Sequence, residues 1–315
     1  MEYRMLGNTG IRVSRLCFGT LVMGPVQAAL PVGEGGALLA YAMQRGVNFC
    51  DTAQLYETYP YIKEAMRLSG NHELVISTKT YAYTRALARQ AVDQALRELG
   101  RDYIDIFMLH EQESIHTLRG HAEALEYFYE CKEGGVIRAV GASMHTVAAV
   151  EGSIQRGLDV VFPLINVNGL GIADGSRADM EHAASAAHSA GIGVMGMKVF
   201  GGGNLHRTPE RCLDYALGLP FLDSIAIGMQ SRDEVDYNVA FFERAVPPPA
   251  LRDRLAAKER HLHIDDWCEG CGACVRRCGQ GALTLRDGKA VCDRSRCVLC
   301  GYCSTVCPQW CIKMV

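Results

Sequence analysis

The stretch LVISTK, residues 74–79, is a run of bulky apolar residues that stops on a lysine. Its length and β-branched content predict a strand buried on both faces. Upstream, VNFCDT (47–52) has the same form and carries Asp51 near its end; downstream, IDIFMLH (104–110) stops on His110. Between these runs lie amphipathic stretches such as residues 88–99, with apolar residues at helical spacing. RLCFGT (15–20), IRAVGAS (137–143), VVFPLIN (160–166), GVMGMK (193–198) and SIAIG (224–228) bring the strand candidates to eight. Eight strands, each followed by a helix, predict a closed parallel (β/α)8 TIM barrel over residues 1–245. The opening MEYRMLGNTGIRV reads as a hairpin across its bottom. A doubly wound open sheet would want a glycine-rich phosphate turn after its first strand, and FGTLVMG is a poor one.

The chain has 315 residues, 49% of them apolar, enough for one large barrel core and a smaller unit beside it. A net charge of −3 gives no electrostatic case for nucleic acid. The N-terminus has no apolar signal core, and no run approaches a membrane helix in length. The expected setting is therefore the cytoplasm, where clustered cysteines more often hold metal than form disulfides.

Chemistry in such a barrel sits at the carboxyl ends of the strands. Asp51, Lys79 and His110 end three successive strand candidates, and Tyr56 lies one short loop beyond Asp51. Each alone would more often be structural; four at the same end of adjacent strands point to a site. A phenol of pKa about 10 is a poor acid near neutrality. A nearby ammonium lowers that pKa, a carboxylate keeps the ammonium charged, and an imidazole can hydrogen-bond the carbonyl that takes the proton.

DTAQLY (51–56), STKT (77–80), MLH (108–110) and the opening EYRMLGNTGIRVSRLCFGT resemble the aldo-keto reductases over residues 1–245. The resemblance implies carbonyl reduction by hydride transfer from NAD(P)H, with catalytic residues Asp51, Tyr56, Lys79 and His110. Tyr56 would be the general acid, Lys79 its activator, Asp51 the partner that holds Lys79, and His110 the group that orients the carbonyl. The cofactor contacts it implies are Ser143, Asn166, Lys198, Gly228, Ser231, Arg232 and Asn238. Several neighbours depart from the family pattern. Met144 replaces an asparagine, Phe162 a glutamine, Met197 a stacking aromatic, and Gln230 an arginine that often meets the 2′-phosphate. No strong preference for NADP over NAD is expected. The turn Gly201–Gly203 could let a pyrophosphate approach closely. Met23, Tyr81, Tyr83 and Phe200 are expected to line the mouth and to suit a small apolar or aromatic carbonyl substrate.

Ten of the 14 cysteines lie between Cys268 and Cys311. The motif C-x2-C-x2-C-x3-C occurs twice, offset by 29 residues, so that Cys268, Cys271, Cys274 and Cys278 fall on Cys297, Cys300, Cys303 and Cys307. Three closely spaced thiolates can wrap one compact cluster while the fourth points to a second. Zinc sites more often pair two separated C-x2-C knuckles. The tail resembles a bacterial two-cluster ferredoxin, which implies two [4Fe–4S] clusters. By position, one takes Cys268, Cys271, Cys274 and Cys307, and the other Cys297, Cys300, Cys303 and Cys278. Cys292 and Cys311 are left over; Cys311 falls on Ala282 of the first copy and reads as a small core residue.

Residues 246–264 form the expected linker, with Pro247–Pro249 stopping the last barrel helix and a connecting helix over 251–262. Residues 265–315 form the expected ferredoxin-like unit, docked on the barrel rather than tethered. Nicotinamide gives two electrons as hydride and a cluster carries one, so three readings stand. The clusters are accessory to a carbonyl reductase, or they relay electrons from a redox protein partner to the barrel, or the barrel is a scaffold for an electron carrier.

Overall fold

The computed structural model describes residues 1–315. Strands β1 (Tyr3–Met5) and β2 (Arg12–Ser14) pair antiparallel as a hairpin. Eight strands follow: β3 (Leu16–Gly19), β4 (Phe49–Asp51), β5 (Val75–Thr80), β6 (Ile104–Gln112), β7 (Ile137–Met144), β8 (Val160–Pro163), β9 (Gly193–Gly196) and β10 (Ser224–Gly228). They close into one parallel barrel, β10 pairing with β3 through Ile225 opposite Leu16. Around it lie α1 (Val32–Gln44), α2 (Tyr59–Ser69), α3 (Arg85–Leu99), α4 (Ile115–Gly120), α5 (Ala122–Glu133), α6 (Val147–Arg156), α7 (Arg177–Ser189), α8 (Pro209–Gly218) and α9 (Arg232–Phe242). No helix is long and apolar enough to cross a membrane.

The inward residues Cys17, Phe49, Ile106, Met108, Val160 and Met195 fill the barrel, and Leu6, Ile11 and Val13 of the hairpin seal its bottom. Near that end, Asp105, Asp159 and Asp223 accept the backbone N–H of Ile76, Val140 and Val194 on neighbouring strands. These carboxylates pin strand register at the face opposite the chemistry. Two sequence-predicted strands end early. Asn166 lies three residues beyond β8, and Lys198 lies two beyond β9 in a left-handed backbone conformation (φ 58°).

The connecting helix α10 spans Pro249–Ala256 and is shorter than its spacing predicts. Leu262–Ile264 instead forms β11, which pairs antiparallel with β14 (Ile312–Met314) at the very end of the chain. Leu262 is buried in that pairing, so pairing with the chain's last strand decides the segment where helical spacing was the expectation. The rest of the tail is α11 (Ala273–Arg277) and the hairpin β12 (Leu283–Arg286) and β13 (Lys289–Cys292).

The tail is docked on loops at the carboxyl end of the barrel. The N–H of Met314 donates to Gly202 O at 2.9 Å, and Arg207 donates to Val298 O at 3.2 Å. A Cβ on Gly171 would stand 2.8 Å from the Trp310 ring, and one on Gly203 would stand 1.9 Å from Met314 O. The turn Gly201–Gly203, which the sequence offers to a pyrophosphate, thus carries the chain's own last strand on one side.

Gly203→Ala should therefore loosen the tail, because Gly203 also has φ +83°, where L side chains are strained. A loss on the order of 1–3 kcal/mol is expected. Limited proteolysis within residues 246–264 should accelerate while the far-UV signal of the barrel persists. Equal cleavage of parent and variant would show that this contact does not hold the tail.

Candidate active site

Strand register sets the centre of the site. Asp51 on β4 lies opposite Ser77 on β5, so Lys79, two residues on, shares the face of Ser77. The Lys79 ammonium donates to Asp51 Oδ1 (2.9 Å), Asp51 Oδ2 (2.8 Å) and Thr52 O (2.6 Å), and Ser77 Oγ donates to Oδ1 at 3.1 Å. Both ions are buried. Burial pushes the Asp51 carboxyl upward and the ammonium pulls it back.

Tyr56 ends a short helical turn (Gln54–Tyr56) after β4, where Glu57 takes a left-handed conformation. Its hydroxyl lies 3.4 Å from His110 Nε2, at the end of β6. Lys79 lies near the phenol without hydrogen-bonding it. Its three N–H donors go to Asp51 and Thr52, and the ammonium lies 5.0 Å from the centroid of the Tyr56 ring. The Tyr56 pKa is held well above its usual value, first by burial and then by the negative charges of Asp51 and Glu111. At rest it is a neutral phenol with its proton in place. His110 is held well below the usual histidine value by burial, then by Lys79 and Lys198, so its imidazole is neutral. Its Nδ1 is buried without a partner.

Sequence reasoning missed two residues here. Glu111, in a left-handed conformation just past His110, accepts the Tyr81 hydroxyl, and Tyr81 stacks on His110 at 4.5 Å. His145, just past Met144, has its Nε2 2.7 Å from Lys198 Nζ and 4.0 Å from Glu111. The available signal was a polar residue at or just past the carboxyl end of a strand run. Of the expected mouth residues, Tyr81 reaches the site and Phe200 is half-buried beside the barrel core. Met23 is fully buried, its sulfur 3.4 Å from where a Gly35 Cβ would be, and the exposed Tyr83 meets His121 instead.

The expected cofactor contacts lie on β7, on the loops after β8 and β9, and on β10 and α9. Ser143 Oγ accepts the Glu111 N–H at 2.9 Å. Asn166 is spent on its own loop, donating to Leu170 O and accepting from the N–H of Leu170 and Asn168. Gly228 ends β10, and Ser231 caps α9 by accepting the Glu234 N–H. Arg232, the first residue of α9, lies over the Tyr41 ring at 4.9 Å. Gln230 itself joins Val22 O to Lys258, whose ammonium also pairs with Glu234. Asn238 donates to Glu234 O and leaves its buried Oδ1 unpaired.

A family model described as Aldo/keto reductase family matches residues 15–211. The chain belongs to the aldo/keto reductase family. Among curated relatives, L-galactose dehydrogenase of Arabidopsis thaliana is 27% identical over 154 residues, covering 45% of this chain and 48% of the relative. A probable voltage-gated potassium channel subunit beta of Oryza sativa subsp. japonica is 28% identical over 181 residues, covering 52% and 54%. The chain thus spans about half the length of the curated relatives it matches. A solved structure of a putative aldo-keto reductase from Pseudomonas aeruginosa superposes with TM-score 0.67 at 23% identity, over 78% of this chain and 95% of that one. That likeness carries the fold of this aldo/keto reductase barrel; the family match stops before the cysteine-rich tail.

In the tail, Cys268, Cys271, Cys274, Cys307 and Cys311 line one cavity. No three His, Cys, Asp or Glu side chains converge as ligands of a single metal ion. The N–H of Ala290 donates to Cys268 Sγ at 3.4 Å, and that of Ala282 to Cys278 Sγ at 3.3 Å. Burial opposes ionisation of both thiols, yet such N–H donors leave each below its ordinary value.

Lys198 gives a pH signature. Its pKa is depressed from 10.5 to about 7, first by burial and then by Lys313. Between those values the unfolded chain binds more protons there than the folded one, so this group makes stability rise with pH across that window. Denaturant melts from pH 7 to 10 should show a smaller rise in Lys198→Met than in the parent. Parallel curves would remove Lys198 as the source.

Proposed function

We propose that this aldo/keto reductase is an NAD(P)H-dependent carbonyl reductase with Tyr56 as general acid, carrying two accessory [4Fe–4S] clusters in its tail. The single observation behind the catalytic half is the buried Asp51–Lys79 pair lying under Tyr56, with His110 against the phenol. Nicotinamide fits the residues present: the Ser143 hydroxyl proton has no protein acceptor, the Asn238 Oδ1 is buried and unpaired, and the N–H groups of Gly202 and Gly203 have no protein acceptor. When bound, that cofactor supplies hydride to the carbonyl carbon.

The remaining chemistry belongs to the chain. As negative charge develops on the carbonyl oxygen, the Tyr56 phenol donates its proton and the product is the alcohol. The neutral His110 imidazole orients the carbonyl by a hydrogen bond. Lys79, fixed by Asp51, lies close enough to steady the phenolate left behind, and its charge is expressed only once that proton departs. Tyr81, stacked on His110, favours a small apolar or aromatic substrate over a bulky one.

For the tail, the reading assigns Cys268, Cys271, Cys274 and Cys307 to one cluster and Cys278, Cys297, Cys300 and Cys303 to the other. It is supported by the cysteine-lined cavity and by the N–H···S contacts, which suit thiolate ligands. Each thiolate of a cluster binds a different iron, so a shared single-ion geometry is not required of the set. Clusters supply one-electron transfer when bound. A second reading, in which a redox protein partner feeds electrons through the tail to the barrel, is favoured by the docking of β14 on Gly201–Gly203 at the barrel mouth. Anaerobic titration with NADH and NADPH, followed optically and by EPR, separates the two: reduction of substrate by nicotinamide alone supports the first.

Tyr56→Phe should leave nucleotide affinity nearly unchanged and lower turnover of a carbonyl substrate by roughly 10²-fold or more. Unaltered turnover would take Tyr56 out of the mechanism.

Chain purified without oxygen should contain about eight iron and about eight acid-labile sulfide. Zinc without sulfide would end the cluster reading.

A further inference from the structure

Four cysteines suffice for a cluster, and the structure brings five to the first cavity. Cys311 lines it together with Cys268, Cys271, Cys274 and Cys307. Its Sγ stands 3.4 Å from Cys307 Sγ. Packing is the alternative account, since Cys311 is buried with Leu262 and Ile312. Yet the corresponding position of the first copy is Ala282, which is equally buried and carries no sulfur. Packing at this position does not call for a thiol.

The backbone shows how two residues four apart come to face one cavity. The Trp310 N–H donates back to Cys307 O at 3.2 Å, closing a turn. Trp310 takes φ +49°, a left-handed conformation uncommon for a bulky residue. Gly281 holds the same place in the first copy, at φ +57°, without that strain. Trp310 keeps the conformation while buried against Gly171 of the barrel. Past the turn, Cys311 O accepts the Asp265 N–H at 2.8 Å and the chain enters β14. Cys307 thus sits on the turn and Cys311 on the fixed strand side, with their sulfurs in contact. The other leftover cysteine, Cys292, lies on β13 and does not line this cavity.

We propose that Cys307 and Cys311 are interchangeable ligands of the first cluster, one holding an iron while the other waits in contact with it. The proposal rests on the cluster reading of the tail. The exchange breaks one iron–thiolate bond and forms another. The incoming thiol gives up its proton, the departing thiolate takes one up, and no electron moves. The two thiols hang from different pieces of backbone, one on the turn and one beside β14, and would hold the iron from different directions, so the two ligation states should differ in midpoint potential.

The test uses the full chain purified anaerobically as parent, Cys311→Ala, Cys307→Ala and the double variant. Iron, sulfide, the EPR signal after dithionite reduction and far-UV circular dichroism are measured for each. Parent and Cys311→Ala should hold about eight iron. Cys307→Ala should stay close to eight with a shifted EPR signal, and the double variant should fall to about four. Cys307→Ala falling as far as the double variant, or Cys311→Ala losing iron by itself, would overturn interchangeability. A parent without sulfide instead ends the underlying cluster reading, a separate result. Should Cys307→Ala lose its fold, Cys307→Val takes its place, with Cys307→Val/Cys311→Ala as reference and the same two outcomes.

Discussion

The buried ion pair between Asp51 and Lys79 constrains everything at the barrel mouth. Two charges this far from water are tolerated only when each is fully hydrogen-bonded, and here every ammonium proton and both carboxylate oxygens are used. That demand fixes strand register, since a one-residue slip of β5 would turn Lys79 away from β4. It also leaves Lys79 no proton to offer Tyr56. The phenol therefore rests neutral, beside an ammonium whose influence waits for the phenol's own proton to leave. Removing Asp51 alone would strand a buried charge, so the pair acts as one unit.

Around this pair the mouth is a chain of polar contacts running toward the tail. Tyr81 covers His110 and donates to Glu111; Glu111 faces His145; His145 meets Lys198, and Lys198 feels the charge of Lys313 in the tail. Lys313 is itself buried on Asp265. The tail is thus part of the electrostatic surroundings of the barrel site. Its hold depends on glycines at Gly171 and Gly203, where backbone and the Trp310 ring approach too closely for any side chain. The buried Trp310 Nε1 and Asn204 Oδ1 have no partner at this junction, so the contact is held by shape more than by satisfied polar groups.

Much of this was legible along the chain. Eight apolar runs gave the barrel because strands buried on both faces are near-continuously apolar and short. Asp51, Lys79 and His110 could be placed at one end because each closes such a run. The duplicated cysteine spacing marked the tail as a unit of its own, and Ala282 facing Cys311 across the repeat is visible in the letters alone. Periodicity misled beyond Ala256, where α10 stops and the chain then enters its pairing with the distant β14 at Leu262. It also overran β8 and β9: beyond them Asn166 closes its own loop and Lys198 turns to His145.

Tertiary structure alone decided which groups meet. Residues close in sequence can share a role by spacing, because strand and helix periods are fixed; contacts between distant segments depend on how elements pack. Lys79 spending its protons on Asp51 and Thr52, Glu111 and His145 entering the site, and Asn166 closing its own loop are all of that second kind. So is the 3.4 Å approach of Cys311 to Cys307, which needs a left-handed Trp310 held by the barrel. The sequence determined the fold, the inventory of reactive groups and the end of the barrel where they gather. Hydrogen-bond competition in a buried site, where each donor is used once, decided what each of them touches.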